Sequence, residues 1–377
     1  MNIVIIGNGA AAVSAAEAAR KQNADAQITL FSEDPHLPYF RPRLAEVLAD
    51  EGMEEKILLH PQDWYDKNNI HLSLDTHVMS IDTQNKEIVL EGGRVPYDKL
   101  ILATGSKSFV PPIKGVEHKG VYTLWTLDQA KELRSELNKK DNVIVIGGGL
   151  LGLEAAWQLH RGGSHVTVIE SFDRLLGNQM DEKGSALFKA KVESLGITVF
   201  TGASTKEILA KNDQVTGVEL STGEVLPAKA VLVSTGVRAR TELAEAAGIQ
   251  IDRRIVVNNK METNHPDIYA AGDNAELEGK WYGLWTISTQ EGAVAGKNAA
   301  GGEAEYVMPV PPYMLNTMDT KVMSAGSLKT DEGQRVELTV DEDKFLYKKL
   351  VYKDGELQGF LLMGDTAEGM KLRKELR

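Results

Sequence analysis

Two glycine turns hold the residue types that could do chemistry in this chain. Gly7 and Gly9 follow the β-branched run Ile3-Val4-Ile5-Ile6, and Gly147, Gly149 and Gly152 follow Val143-Ile144-Val145-Ile146. Closely spaced glycines at a strand's end let the backbone turn tightly and approach a pyrophosphate. The helix behind them offers free N–H donors at the positive end of its dipole. Ala12 in the first copy and Gly152 in the second take the third position, where a small residue permits close helix–strand packing. A second apolar strand then ends in an acid, Ile28-Thr29-Leu30-Phe31-Ser32-Glu33 in one copy and Val166-Thr167-Val168-Ile169-Glu170 in the other. A carboxylate at that point is placed to accept from ribose hydroxyls. At Glu170 it also repels a 2′-phosphate, which predicts a preference for NADH over NADPH. Arg174 lies close behind and reads as a surface cation rather than a phosphate ligand. A third motif, Ile268-Tyr269-Ala270-Ala271-Gly272-Asp273, ends a strand in Gly-Asp. That carboxylate either binds a polyol chain such as ribityl or caps the next helix, and the two glycine turns favour the first reading.

These residues need a parallel α/β framework to hold them. Strand, glycine turn, Ala-rich helix and second strand make a βαβ unit, and the pattern is present twice. Each copy later reaches an apolar strand closed by a Thr-Gly turn, Lys99–Gly105 in one and Ala230–Gly236 in the other, so a whole domain plan is duplicated. Pro111-Pro112 and the Pro-rich stretch from Pro309 to Pro312 punctuate the chain. Beyond the second break the pattern changes to short alternating strands, such as Lys344–Tyr352. Asp354-Gly355 there signals a hairpin before Leu357–Leu362. Residues 303–377 read as a small α+β domain.

Composition narrows the chemistry. The chain has 377 residues and no cysteine, which removes disulfides, thiolate metal sites, iron–sulfur ligation and redox-active Cys pairs. Any redox chemistry must come from a bound cofactor. The eight histidines show no metal spacing, so no metal is expected. A formal net charge of −12 argues against binding nucleic acid or an anionic membrane through bulk charge. The five Trp suit a core or a cofactor shield better than a nucleic-acid platform. With neither an apolar run of spanning length nor a basic leader ahead of Asn2, the expected location is the cytoplasm.

The ordered set of motifs resembles that of the flavoproteins with two dinucleotide-binding domains, the family of glutathione reductase and the ferredoxin reductases, over nearly the whole chain. The segments Pro38–Leu44, Lys348–Tyr352 and Gly359–Asp365 are most similar to its NADH–rubredoxin reductase branch, and next to the N-terminal part of the nitrite reductase large subunit. The resemblance implies an α/β, glutathione-reductase-like fold of two Rossmann-like domains plus the small C-terminal one. A discontinuous FAD-binding domain would cover 1–108 and 236–302, with an NADH-binding domain at 109–235 and the C-terminal domain at 303–377. It implies FAD contacts from the first turn (Gly7, Gly9, Ala10, Ala11, Ala12), from Glu33, Arg41 and Val78, from Thr104 and Gly105, and from Asp273 and Trp285. The helix after Trp285, through Gln290-Glu291-Gly292, would point its positive end at the flavin pyrimidine. NADH contacts would come from Gly147, Gly149, Leu151, Gly152, Glu170 and Gly236. Glu154 would lie on the flavin side of the nicotinamide.

Three departures stand out. Relatives with a thiol centre carry Cys near positions 41 to 45, and this chain has none. Many ferredoxin-reductase-like relatives have a Lys that pairs with the Glu matching Glu154. Here Glu46 stands in that region, leaving Arg41 or Arg43 as substitutes. Trp125 occupies a position where many relatives have Arg. The expected activity is hydride transfer from NADH to FAD and electron delivery to a small carrier such as rubredoxin, with no catalytic side chain. An NADH oxidase, a reductase component for another acceptor such as nitrite reductase, and an FAD- and NADH-binding redox sensor are the alternatives. The protein would be a monomer or a homodimer. The basic run Lys371, Arg373, Lys374 and Arg377 reads as a solvated helix end, with carrier docking as the sharper option.

Overall fold

The β-branched runs ahead of each glycine turn form strands buried on both faces. Ile3, Val4 and Ile5 in the first copy and Val143, Ile144 and Val145 in the second are at most 2% exposed, as the central strands of a covered parallel sheet must be. The computed structural model describes residues 1–376, and Arg377 of the basic run lies outside the described residues. The chain forms two compact units: Met1–Leu44, Gly52–Lys107 and Val237–Met308 in one, and Ala45–Glu51, Ser108–Gly236 and Pro309–Arg377 in the other.

In the first unit a five-stranded parallel sheet runs in the order Ile268–Ala270, Lys99–Leu102, Asn2–Ile6, Gln27–Phe31 and Ile70–Ser73. Helix Ala10–Gln22 covers one face and packs on helix Trp285–Ala299. Their approach is set by residue size. A Cβ on Gly292 would lie 2.2 Å from the Ala11 carbonyl oxygen, and one on Gly296 would lie 2.0 Å from that of Ala15. Two glycines one turn apart therefore seat against two alanines one turn apart. A small antiparallel sheet of Val78–Asp82, Glu87–Leu90 and Gly93–Pro96 completes the main elements.

The second unit repeats the parallel sheet in the order Thr198–Thr201, His165–Glu170, Asn142–Ile146, Ala230–Val233 and Val121–Tyr122. It also carries its own antiparallel insert, Thr205–Lys211, Gln214–Leu220 and Val225–Pro227. The C-terminal residues add a five-stranded antiparallel sheet and the helix Gly369–Glu375. Strands Leu346–Lys353 and Glu356–Met363 are joined through Asp354 (φ 51°) and Gly355 (φ 83°), the left-handed pair that a two-residue hairpin turn needs. The sheet meets helix Glu182–Ser194 at the helix's first turn. Asp181 caps that helix by accepting from the Gly184 N–H, and also accepts from the Tyr347 hydroxyl at 2.9 Å and from Lys349 Nζ at 2.8 Å.

Candidate functional site

Each glycine turn is built the same way. Gly7 has φ +125°, and a Cβ there would lie 2.1 Å from the Ala103 carbonyl oxygen. Gly147 has φ +121°, and its Cβ would lie 2.1 Å from the Ser234 carbonyl oxygen. Only glycine tolerates both the left-handed backbone and the close approach. Ala103 and Ser234 immediately precede Thr104-Gly105 and Thr235-Gly236, so in each unit the Thr-Gly turn backs the glycine turn. The threonines anchor these turns: Thr104 Oγ1 donates to the Arg240 carbonyl at 2.7 Å, and Thr235 Oγ1 donates to that of Phe109 at 2.8 Å. Gly105 and Gly236 both have positive φ and open space beside them.

The opposite side of each turn is open. Gly9 and Gly149 begin helices Ala10–Gln22 and Leu150–Arg161 with no side-chain cap, and a Cβ on either would meet nothing within 4 Å. Uncapped N–H donors facing open space beside a backbone that allows close approach are what a pyrophosphate requires. Ala12 is wholly buried, and Gly152 approaches so closely that a Cβ would lie 2.2 Å from the Gly147 carbonyl oxygen. Ala10 and Ala11 are also buried, whereas Leu151 is 45% exposed.

The acids have partners of their own. Glu33 forms an ion pair with Arg240 and has His77 at 3.6 Å. Glu170 ties the glycine turn to its own loop: its carboxylate accepts from the Gly148 N–H at 2.7 Å and from the Phe172 N–H at 2.8 Å. Arg174 pairs with its neighbour Asp173. Asp273 starts no helix: the next element is the strand Ala275–Leu277, and helix Trp285–Ala299 begins after Leu284. The Asp273 carboxylate instead accepts from Ser106 Oγ at 2.7 Å, and its carbonyl accepts from Arg254 Nε at 3.0 Å. The preceding Gly272 N–H donates to Glu291 Oε2 at 2.8 Å. Burial first, then the neighbouring Asp273 charge, pushes the Glu291 carboxyl up to about 8, against the pull of that N–H.

Around them, Val78 is buried at the start of its strand, Trp285 meets Phe40 edge-to-face at 4.9 Å, and Arg41 lies over the Tyr39 ring at 5.6 Å. Glu154 sits in the second turn of helix Leu150–Arg161. Burial, then the negative charge of Glu46, raises its carboxyl to about 7. Glu46, in the region where the resemblance leads one to look for a pairing lysine, thus acts on Glu154 with the opposite sign.

Comparison with known proteins supplies the family. Residues 1–292 match the model described as pyridine nucleotide-disulphide oxidoreductase. The chain belongs to that family. Residues 311–377 match the rubredoxin NAD+ reductase C-terminal domain. Among pyridine nucleotide-disulphide oxidoreductases, the chain is 32% identical to the NADH-rubredoxin oxidoreductase of Clostridium acetobutylicum, over 99% of its own length and 94% of the relative's. The crystal structure of the Clostridium acetobutylicum NADH:rubredoxin oxidoreductase superposes with a TM-score of 0.86, covering 100% of this chain and 94% of that one. A ferredoxin reductase from Rhodopseudomonas palustris, 28% identical, superposes at 0.90 and covers 99% and 93%. The NAD(P)H nitrite reductase of Bacillus subtilis is 36% identical over 98% of this chain, which spans only 46% of that relative. The disulphide of the family name has no counterpart in a chain without cysteine.

Several residues around these cradles escaped sequence reasoning. Arg240, Ser106 and Arg254 carry no motif. Gly292 and Gly296 did leave a signal, the four-residue spacing that matches Ala11 and Ala15, which only a pairing of the two helices makes readable. Among the described residues no group of three His, Asp or Glu is placed to hold a metal, and no helix is long and apolar enough to cross a membrane.

Proposed function

We propose that the protein is an FAD-containing, NADH-dependent reductase of the cytoplasm that delivers electrons to a small acidic carrier, with rubredoxin as the first candidate. The supporting observation is the duplicated cradle: two uncapped helix starts facing open space, each behind a glycine that cannot carry a Cβ. In this reading the first unit holds FAD. The Gly7–Ala12 turn meets the pyrophosphate, Glu33 the adenosine ribose, and Asp273, fixed by Ser106, the ribityl chain. The second unit holds NADH on the Gly147–Gly152 turn, with Glu170 at the ribose. Glu154, buried and half-ionised near neutrality, holds a proton beside the nicotinamide site. Bound there, FAD would supply hydride acceptance from NADH and single-electron release, so no side-chain nucleophile would be needed. Similarity to rubredoxin reductases over the full chain and in the C-terminal domain supports the choice of carrier. The 36% identity to a nitrite reductase favours, as the second reading, a reductase component serving another acceptor.

The test is direct. Purified protein should release FAD on denaturation and bleach on anaerobic addition of NADH, and the reduced protein should reoxidise faster with rubredoxin than with oxygen. Colourless protein that FAD cannot reconstitute would sink the reading. Reoxidation by oxygen at the rubredoxin rate would leave an oxidase, and no turnover with any acceptor would leave a redox sensor.

A further inference from the structure

Many cations of this acidic protein are engaged locally. In the C-terminal helix Lys371 lies 4.0 Å from Glu375, and Arg373 is turned toward the Val310 carbonyl at 3.4 Å; beside it Lys348 pairs with Glu368. One group of cations in the first unit gathers around a cavity instead. A cavity of about 290 Å³ is lined by Arg253, Arg254, Glu276, Gly279, Lys280, Trp281 and Tyr282. Arg253, Arg254 and Lys280 form no ion pair among the described residues. The lining acid, Glu276, is 3% exposed, and its carboxylate faces the Arg253 backbone N–H at 3.3 Å. The lining thus carries three cations against one buried acid and is net positive toward whatever approaches.

Side-chain contacts hold the cavity floor in place. The Arg254 guanidinium carbon lies over the Trp281 ring, 3.5 Å from its centroid, and the buried Trp281 Nε1 has no acceptor. Contact with the ring and the bond from its Nε to the Asp273 carbonyl hold the guanidinium in place, so the fork of its two outer nitrogens stays open. A planar, pre-oriented fork matches a carboxylate in bidentate geometry. Arg254 also touches Asp273 directly, so an anion seated here is one residue removed from the proposed flavin cradle.

We propose that this cavity is the docking seat for a surface carboxylate of the acidic electron carrier, with Arg253 and Lys280 as its charged rim. The proposal rests on the functional reading above. Charge complementarity selects the occupant. A protein of net charge −12 repels an acidic partner except where unneutralised cations cluster, and a one-electron carrier must approach close to the flavin site.

The test uses the FAD-loaded protein and a rubredoxin of net negative charge. Binding is measured calorimetrically with both proteins oxidised, and turnover separately with NADH. Arg253→Glu with Lys280→Glu is expected to weaken binding about tenfold or more and to flatten its salt dependence. Reduction of menadione, a neutral quinone, should stay within about twofold, since neither residue belongs to a cradle. Lys371→Glu with Lys374→Glu should leave the affinity nearly unchanged. An unaltered affinity and salt slope in the first double variant overturns the docking seat, as does failure of the unaltered protein to bind. Binding that responds to the variants without turnover leaves the seat standing and sinks only the assignment of the carrier as electron acceptor.

Discussion

A buried carboxyl that ionises near neutrality makes stability fall as pH rises, and this chain has two. Glu154 is held at about 7 and Glu291 at about 8, both through burial above all. Above the ordinary carboxyl range the unfolded chain has released protons that the folded state still holds. Their contribution is complete at low pH and is lost as pH climbs through the raised values. Urea unfolding should therefore show stability declining between about pH 5 and pH 8, with a shallower slope in Glu154→Gln and Glu291→Gln. An unchanged slope in the double variant would refute the assignment. Removing the adjacent negative charge with Glu46→Gln should move the Glu154 component to lower pH. The second test at this scale concerns Glu170, which braces the Gly148 and Phe172 amides as well as facing the proposed ribose site. Glu170→Ala should raise the KM for NADH about tenfold and narrow the preference over NADPH, in steady-state assays with both nucleotides. The glycine turns were legible as sequence because their spacing encodes a backbone shape. The partners of the acids were not: Arg240 meets Glu33 from 207 positions away, and Ser106 meets Asp273 from 167. A side chain's partner at that range is decided by the fold, not by local pattern.

Helices and strands carry the next two tests. Gly292 and Gly296 let helix Trp285–Ala299 rest on helix Ala10–Gln22 with backbone in contact. Gly296→Ala introduces a Cβ where an Ala15 carbonyl oxygen already lies, and should cost about 1–3 kcal/mol, read as a lowered Tm, with faster loss of FAD. Gly9→Ala, whose Cβ meets only open space, should leave Tm nearly unchanged while weakening FAD binding, which separates packing from cofactor contact. Asp181 is a cap, a hydrogen-bond acceptor for Tyr347 and the counter-ion of Lys349, whose side chain is 10% exposed. Asp181→Ala removes the cap and strands a largely buried ammonium, so a loss of about 3 kcal/mol or more is expected in chemical denaturation. Lys349→Met with Asp181→Ala should recover part of it. The strands around Asp354-Gly355 were predictable because the turn dipeptide and the alternation agree. The antiparallel inserts Val78–Pro96 and Thr205–Pro227 gave no comparable signal as sheets, since half-buried strands on a small layer mix polar and apolar residues freely.

At the scale of the molecule, the chain runs one plan twice, and the duplication was readable because strand, glycine turn, strand and acid recur in the same order. The two cradles predict separate footprints in hydrogen exchange: FAD should protect amides of Gly7–Ala12 and Asp273, and NADH those of Gly147–Gly152. Protection of both segments by either ligand alone would argue against the division of labour. The lock between Gly292, Gly296 and the alanines of the first helix also bears on how the protein is made. Ala10–Gln22 is synthesised ahead of the second cradle, and the helix that clamps it only after that cradle is complete. The N-terminal strands can pair early, but the sheet lacks Ile268–Ala270 and the first helix lacks its partner until that late stretch emerges. The second parallel sheet, whose strands all lie between Val121 and Val233, has no such wait. The cradle encoded first is thus finished last, and a nascent chain stalled before Gly296 would be able to complete its NADH cradle but not its FAD cradle.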